Sequence, residues 1–150
     1  MDNAILQKIL FEMDQIEDNI KASSPLIDLC KIKEPDFIEK CGISMILHSF
    51  YNGIENILIL IVKNKDSNMP NGTKWHKELL DKAFENTENR TKIFREQLKE
   101  KLNEYLKFRH FVRHSYGSQL KWEDMKILFF NINIIWNDVK EDINIFLKNN

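Results

Sequence analysis

The stretch Trp122–Phe146 reads WEDMKILFFNINIIWNDVKEDINIF, and its apolar residues recur in alternating steps of three and four. These residues are Trp122, Met125, Phe129, Ile132, Trp136, Val139, Ile143 and Phe146. Because an α-helix has about 3.6 residues per turn, this spacing places all of them on one side of a helix. The pattern predicts one continuous helix whose apolar side lies in the core of a helical bundle or against a helix of another subunit.

Helical spacing extends through most of the remaining chain and predicts four further helices, at about residues 3–21, 34–64, 73–83 and 92–114. We expect Ser23-Ser24-Pro25 to end the first of these and Glu34-Pro35 to open the second. Thr73 is the expected cap of the third, and Gly117 the expected stop of the fourth. With only 4 Gly and 3 Pro, the chain lacks the frequent turns of a sandwich or barrel. The sequence therefore predicts an all-α fold, an antiparallel bundle of four to five helices in one domain covering residues 1–150.

The composition limits which kinds of binding partner and which cellular compartment we expect for this protein. The net charge is −1, so attraction to a polyanion must come from a local patch rather than from the whole molecule. Cys30 and Cys41 have no metal-binding spacing, and we expect two reduced thiols of a cytoplasmic protein. The apolar region Ile43–Val62 is interrupted by polar residues at positions 48, 52, 55 and 56, which argues against a membrane span. The chain opens with no charged-then-apolar leader.

One predicted helix carries a charged residue on its apolar side. In the helix at 92–114, the steps of three and four that join the apolar residues also pass through Arg109 and reach Tyr116. An inward guanidinium is costly to desolvate, so Arg109 needs a carboxylate partner, a water-filled cleft or an anionic ligand. Glu55 is a candidate carboxylate, and such a pair would give Arg109 a structural role.

The same helix is locally basic and ends in two histidines, His110 and His114. Residues 92–113 contain seven Lys or Arg against three Glu. No Glu-x-x-His pair exists to complete a metal site with the histidines, so no metal is expected. A His moves protons near neutral pH and an Arg stabilises charge on a phosphate, so His114 and Arg109 suit phosphoryl chemistry. Five positions on an ideal helix correspond to about 140° of rotation. The two side chains therefore require a distorted helix end or a second copy of the chain.

The segment Arg109-His110-Phe111-Val112-Arg113-His114-Ser115-Tyr116 fits a known pattern. Arg, four residues, His, any residue and Tyr is the motif of the HepT toxins, a branch of the HEPN superfamily; many HEPN motifs place Asn or Asp where this chain has His110. Other segments also resemble HepT-like proteins: FYNGIENI at 50–57, WHKELL at 75–80, EYLKFR at 104–109 and YGSQLKW at 116–122. The resemblance spans roughly Phe37 to Leu147.

This resemblance implies a helical homodimer, joined through the motif-bearing helices, that cleaves RNA without a metal or other cofactor. His114 would be the general acid and base, and Arg109 would stabilise the phosphorane-like transition state. His110, Arg113 and Tyr116 would support the site or bind RNA. The implied role is the toxin of a type VII toxin–antitoxin pair that acts on cellular RNA, with tRNA as one candidate. Its implied antitoxin is an MntA-like minimal nucleotidyltransferase that adds AMP to Tyr116.

Two other interpretations stay open. The chain can be a catalytically silent HEPN module that dimerises and serves as a scaffold or as the AMP-accepting partner of a nucleotidyltransferase. A buried Arg109–Glu55 pair away from His114 would favour that interpretation. It can also be a structural helical interaction domain, which the apolar side of Trp122–Phe146 alone would satisfy. Among the remaining histidines, we expect His48 to be a hydrogen-bonded interior residue. His76 is expected at the surface near a helix start or at the edge of the cleft.

Overall fold

The computed structural model describes all 150 residues, and the chain is all-α, with 77% of residues in helices and no strand. The six α-helices are α1 (Asn3–Ile32), α2 (Phe37–Lys65), α3 (Trp75–Lys82), α4 (Lys99–Arg113), α5 (Trp122–Phe130) and α6 (Ile132–Asn149). Short 3₁₀ turns at Glu96–Leu98 and Gly117–Gln119 lead into α4 and precede α5. The predicted all-α bundle is confirmed, but it has six helices rather than four to five.

Helix α1 does not end at Ser23-Ser24-Pro25 as predicted but continues to Ile32. The Ser23 hydroxyl donates a hydrogen bond of 2.7 Å to the carbonyl of Ile20, which satisfies the side chain inside the helix. Beyond the proline, Ile27 and Cys30 are buried on the side of the helix that already buries Ile20. Burial of this continued apolar side offsets the hydrogen bond that Pro25 cannot donate.

Helix α2 is the central element and contacts α1, α3, α4 and α5. It begins at Phe37 rather than at Glu34, because Asp36 forms a reciprocal capping box with Glu39. The side chain of Asp36 accepts from the Glu39 backbone N–H at 2.8 Å, and the Glu39 carboxylate accepts from the Asp36 N–H at 2.9 Å. By length and composition α2 is apolar enough to span a membrane, yet 56% of its most apolar window is buried inside the protein, as expected of a core helix.

The segment between α3 and α4 is held by tertiary bonds instead of helical ones, so α4 starts later than predicted. The backbone N–H groups of Ile93 and Phe94 both donate to the carbonyl of Ala83, at 2.8 and 3.0 Å. Arg95 has an extended backbone and pairs with Asp142 of α6 at 2.8 Å. The predicted cap was also wrong, since α3 begins at Trp75 and Thr73 does not cap it.

Both ends of the predicted C-terminal helices need correction. Helix α4 ends at Arg113 with His114 as its C-cap, so Gly117 opens a 3₁₀ turn instead of stopping the helix. The predicted helix over Trp122–Phe146 breaks at Asn131, whose φ of −95° and ψ of 2° are not helical. One turn earlier, the Tyr105 hydroxyl donates to the carbonyl of Leu128 at 2.6 Å, which satisfies a backbone group near the break.

The break leaves the burial pattern intact. All eight apolar residues that define the period from Trp122 to Phe146 are buried, and they belong to a single cluster of 36 buried hydrophobic residues. The apolar side of α5 and α6 therefore packs within the chain. This side is already covered in one protomer, so a subunit interface must use other residues.

Candidate functional site

The motif lies across the end of α4, where the helix gives way to an irregular segment. His114, the C-cap, has a φ of −117° and a ψ of 12°. The Phe111 carbonyl in the last turn accepts both from the Ser115 hydroxyl at 2.6 Å and from the His114 backbone N–H at 3.1 Å. Tyr116 is extended, and its backbone N–H donates to the side-chain oxygen of Gln119 at 2.8 Å. Arg109 thus sits on regular helix, whereas His114 and Tyr116 lie beyond its last turn.

Arg109 points into the protein and is only 8% exposed. Its Nη2 atom lies 3.6 Å from Glu55 Oε1 and 3.5 Å from Asn52 Oδ1, both on α2. Its Nε atom is buried and has no hydrogen-bond partner. The carboxylate partner suggested by the sequence is therefore present, and Asn52 is a second contact that the sequence interpretation did not identify.

Glu55 holds a second partner. The Glu55 carboxylate is 3% exposed, and its Oε2 atom lies 2.7 Å from His76 Nδ1 at the start of α3. Trp75 covers His76, with ring centroids 3.7 Å apart. Since a carboxylate accepts, the Nδ1 atom of His76 carries the proton in this bond. His76 is thus neither a free surface residue nor a simple wall of a cleft, and only the three-dimensional arrangement reveals its contact with Glu55.

The remaining motif residues face solvent at the same end of the bundle. His110 and His114 are exposed and adjacent, with ring centroids 4.7 Å apart, and Arg113 is also exposed. Tyr116 is 82% exposed. No hydrogen bond or ion pair joins Arg109 to His114 within the protomer. The structure therefore brings the two histidines together but leaves Arg109 in the interior, as the rotation along the helix suggested.

His48 lies on α2 one turn before Asn52 and lines a polar groove of about 570 Å³ between α1 and α2. It is half-buried and makes no side-chain hydrogen bond, so the prediction of a hydrogen-bonded interior residue was wrong. Burial lowers its pKa below the ordinary 6.5, and the nearby charges of Arg109 and Arg113 lower that pKa further. His48 is therefore a neutral neighbour of the motif near pH 7.

Metal ligands are not clustered anywhere in the chain: no group of three or more His, Cys, Asp or Glu side chains is arranged to hold a metal ion. The exposed pair His110 and His114 has no third such residue beside it. The residues that the site offers are consequently a buried guanidinium, two exposed imidazoles and a phenol.

The chain combines an all-α bundle with an Arg-x4-His-x-Tyr motif at the end of a helix, the combination expected of a HepT-like protein. The sequence model of a family described as HepT-like protein matches residues 42–150, well over half of the chain. The chain is therefore a member of the HepT-like family, within the HEPN superfamily. No curated protein and no solved structure matches it. The matched region contains α3 to α6 and most of α2, whereas α1 lies outside it.

Proposed function

We propose that this protein is the toxin of a toxin–antitoxin pair and a metal-independent endoribonuclease that cleaves cellular RNA. The observation that carries the proposal is the Arg109-x4-His114-x-Tyr116 motif at the exposed end of α4 in a member of the HepT-like family. Arg and His are residue types suited to the transesterification of RNA, because an Arg stabilises charge on phosphate and a His moves protons.

In the proposed reaction, His114 accepts the proton of a ribose 2′-hydroxyl, whose oxygen attacks the adjacent phosphorus. The bond from phosphorus to the 5′-oxygen of the next nucleotide breaks, and that oxygen leaves with a proton supplied by an imidazole. The products are a 2′,3′-cyclic phosphate and a 5′-hydroxyl end. Arg109 stabilises the additional negative charge of the phosphorane-like transition state. His110 and Arg113 contribute positive or donor groups to bind RNA.

A homodimer joined at the motif is part of this proposal, since one protomer does not bring Arg109 and His114 together. The motif end of the bundle exposes apolar side chains on α2 and α4, including Ile38 at 73%, Met45 at 65% and Phe111 at 38% exposure. A Cβ on Gly117 would lie 3.2 Å from the Phe37 ring, so the motif loop packs against the start of α2. An apolar surface beside the motif supports association of two copies there.

We further propose that a partner minimal nucleotidyltransferase silences the protein by adding AMP to Tyr116. The phenol is 82% exposed and lies two residues from His114, so an enzyme can reach it in the isolated protomer. The added phosphodiester would place a negative charge and a bulky nucleoside beside Arg113 and His114. RNA would then be excluded by charge repulsion and by steric overlap.

The second candidate is a catalytically silent HEPN module that dimerises and accepts AMP. It is favoured by one specific observation, the burial of Arg109 against Glu55 while His114 stays in solvent. If that arrangement persists in the dimer, Arg109 does not reach a phosphate and no cleavage occurs.

Induced expression separates the two candidates. Wild-type protein, His114→Ala and the surface control Lys126→Ala are expressed without any partner, and growth and total RNA are followed. The ribonuclease proposal predicts growth arrest and RNA fragments with cyclic phosphate ends for wild type and the control, and neither effect for a folded His114→Ala. Equal toxicity of His114→Ala, or a harmless wild-type protein, would favour the silent module.

A further inference from the structure

The buried carboxylate of Glu55 contacts both His76 and Arg109, and the two contacts differ in strength. His76 Nδ1 binds Oε2 at 2.7 Å, whereas Arg109 Nη2 lies 3.6 Å from Oε1. The first distance is that of a short, strong hydrogen bond, and the second is an ion pair without a good hydrogen bond. His76 therefore holds Glu55 more tightly than Arg109 does.

Two other arginines show how this chain pairs an arginine with a largely buried carboxylate. Arg90 donates to Asp66 through Nε at 2.7 Å and Nη2 at 3.0 Å. Arg95 uses the same two atoms on Asp142, with Nε at 3.0 Å and Nη2 at 2.8 Å from Oδ1. Both are side-on forks, in which Nε and Nη2 together grip one carboxylate.

Arg109 approaches Glu55 in a similar way, but only Nη2 of its two fork donors has an acceptor. Its Nη2 approaches Glu55 and Asn52, but its Nε atom is buried without any acceptor. The 2.7 Å bond from His76 fixes the orientation of the carboxylate, so Glu55 presents Oε1 to Nη2 and no oxygen to Nε. An unmatched buried donor is unfavourable, so the resting site is ready to accept an additional oxygen atom.

We propose that His76 is a positioning residue: it holds Oε2 of Glu55 and so prevents Glu55 from closing a side-on fork with Arg109. Glu55 then holds Arg109 by one weak ion pair only, so Arg109 can leave Glu55 for a phosphate oxygen when RNA binds. This inference rests on the proposed ribonuclease function for its consequence in catalysis. The part that concerns the Glu55–Arg109 pair can be tested without any activity.

The first experiment measures RNA cleavage at saturating substrate. In His76→Ala, Glu55 loses the donor that fixes its orientation, so its carboxylate should turn to Arg109 and lock it. We expect the cleavage rate to fall by about tenfold to a hundredfold, the range produced by misplacing one catalytic group. His76→Asn, whose amide N–H occupies the place of Nδ1–H, should restore most of the rate. The exposed neighbour Lys77, which pairs with Asp81, supplies the matched control Lys77→Ala.

The decisive variant is the double substitution His76→Ala, Glu55→Gln. A neutral amide does not lock a guanidinium, so the double variant should be faster than His76→Ala alone. A role confined to the stacking of His76 on Trp75 predicts no gain in rate from Glu55→Gln, because Glu55 takes no part in that contact. A double variant no faster than His76→Ala would overturn the proposal.

The second experiment does not depend on RNA cleavage. The Nε–H resonance of Arg109, assigned by its loss in Arg109→Lys, is compared by NMR in wild type and His76→Ala. Closure of the fork should move this resonance downfield and slow its exchange with water, whereas an unchanged resonance would overturn the inference. Failure of the proposed ribonuclease function would be recognised independently of the NMR result, because the wild-type protein would then not cleave RNA.

Discussion

Gly53 of α2 packs directly against Ile16 of α1, and replacing it by alanine tests how tightly the two helices are packed. A Cβ at this position would lie 2.6 Å from Cγ1 and 2.9 Å from Cδ1 of Ile16. Carbon atoms in good contact are about 3.5–4.0 Å apart, so the Ile16 side chain must shift. Ile16 is 3% exposed, so a shift disturbs the packing of α1 on α2, although the side chain borders the polar groove between them.

The expected change in the free energy of unfolding is the sum of two opposing effects. Alanine in a helix interior is more favourable than glycine by about 1 kcal/mol. Overpacking of a filled core costs about 1–3 kcal/mol. Gly53→Ala should therefore destabilise the protein by about 0–2 kcal/mol, although alanine is the better helix former.

A second variant changes the sign of this effect. Ile16→Ala removes both atoms that a Cβ at position 53 would meet. In that background, Gly53→Ala should stabilise by about 1 kcal/mol, because only the helix preference remains. The resulting coupling between the two sites is about 1–3 kcal/mol.

The assay is urea unfolding of the four chains of this cycle, followed by circular dichroism and tryptophan fluorescence. Gly42→Ala is the matched control on the same helix, since its Cβ would meet only Leu26 Cδ2 at an ordinary 4.0 Å. This control should stabilise by roughly 0.5–1 kcal/mol. If Gly53→Ala were equally stabilising with and without Ile16, the close contact between α1 and α2 would be refuted.

Two further predictions concern buried charge and pH. Asp66→Ala should lower the free energy of unfolding by about 3 kcal/mol in urea titrations, because it removes the carboxylate from the fully buried Arg90 side chain; a change below about 1 kcal/mol would contradict this. For His48, burial and the charges of Arg109 and Arg113 lower the pKa in the folded protein below 6.5. As pH falls below 6.5, the unfolded chain therefore binds a proton at His48 more readily than the folded protein does, and the free energy of unfolding decreases. NMR titration of the His48 ring should give a midpoint below 6.5 that rises in Arg113→Ala, and a midpoint at or above 6.5 would show the sign to be wrong.

Much of the fold follows from the sequence because the buried side of each helix requires apolar residues at regular intervals along the chain. All eight periodic positions of Trp122–Phe146 are buried, and the all-α class follows from such periods together with the scarcity of turn residues. The inward position of Arg109 was also visible, since Arg109 falls in the apolar period of its helix, and Glu55 was named as a candidate partner for its buried charge. The HepT-like family was recognisable because its motif is contiguous in the chain. The catalytic and AMP-accepting roles of the motif residues remain predictions.

The tertiary structure alone decided where helices continue, where they break and which donors share Glu55. Pro25 and Ser23-Ser24 are local stop signals, yet burial of the following turns keeps α1 helical to Ile32. Asn131 carries no comparable signal, yet the chain breaks there between two buried apolar segments. His76 lies 21 positions from Glu55, and only the packing of α3 on α2 brings them to 2.7 Å. Local sequence determined periodicity, motif and the capped start of α2, because these depend on near neighbours. The extension of α1 past Pro25 and the shared partners of Glu55 depended on contacts between distant segments, which no local pattern encodes.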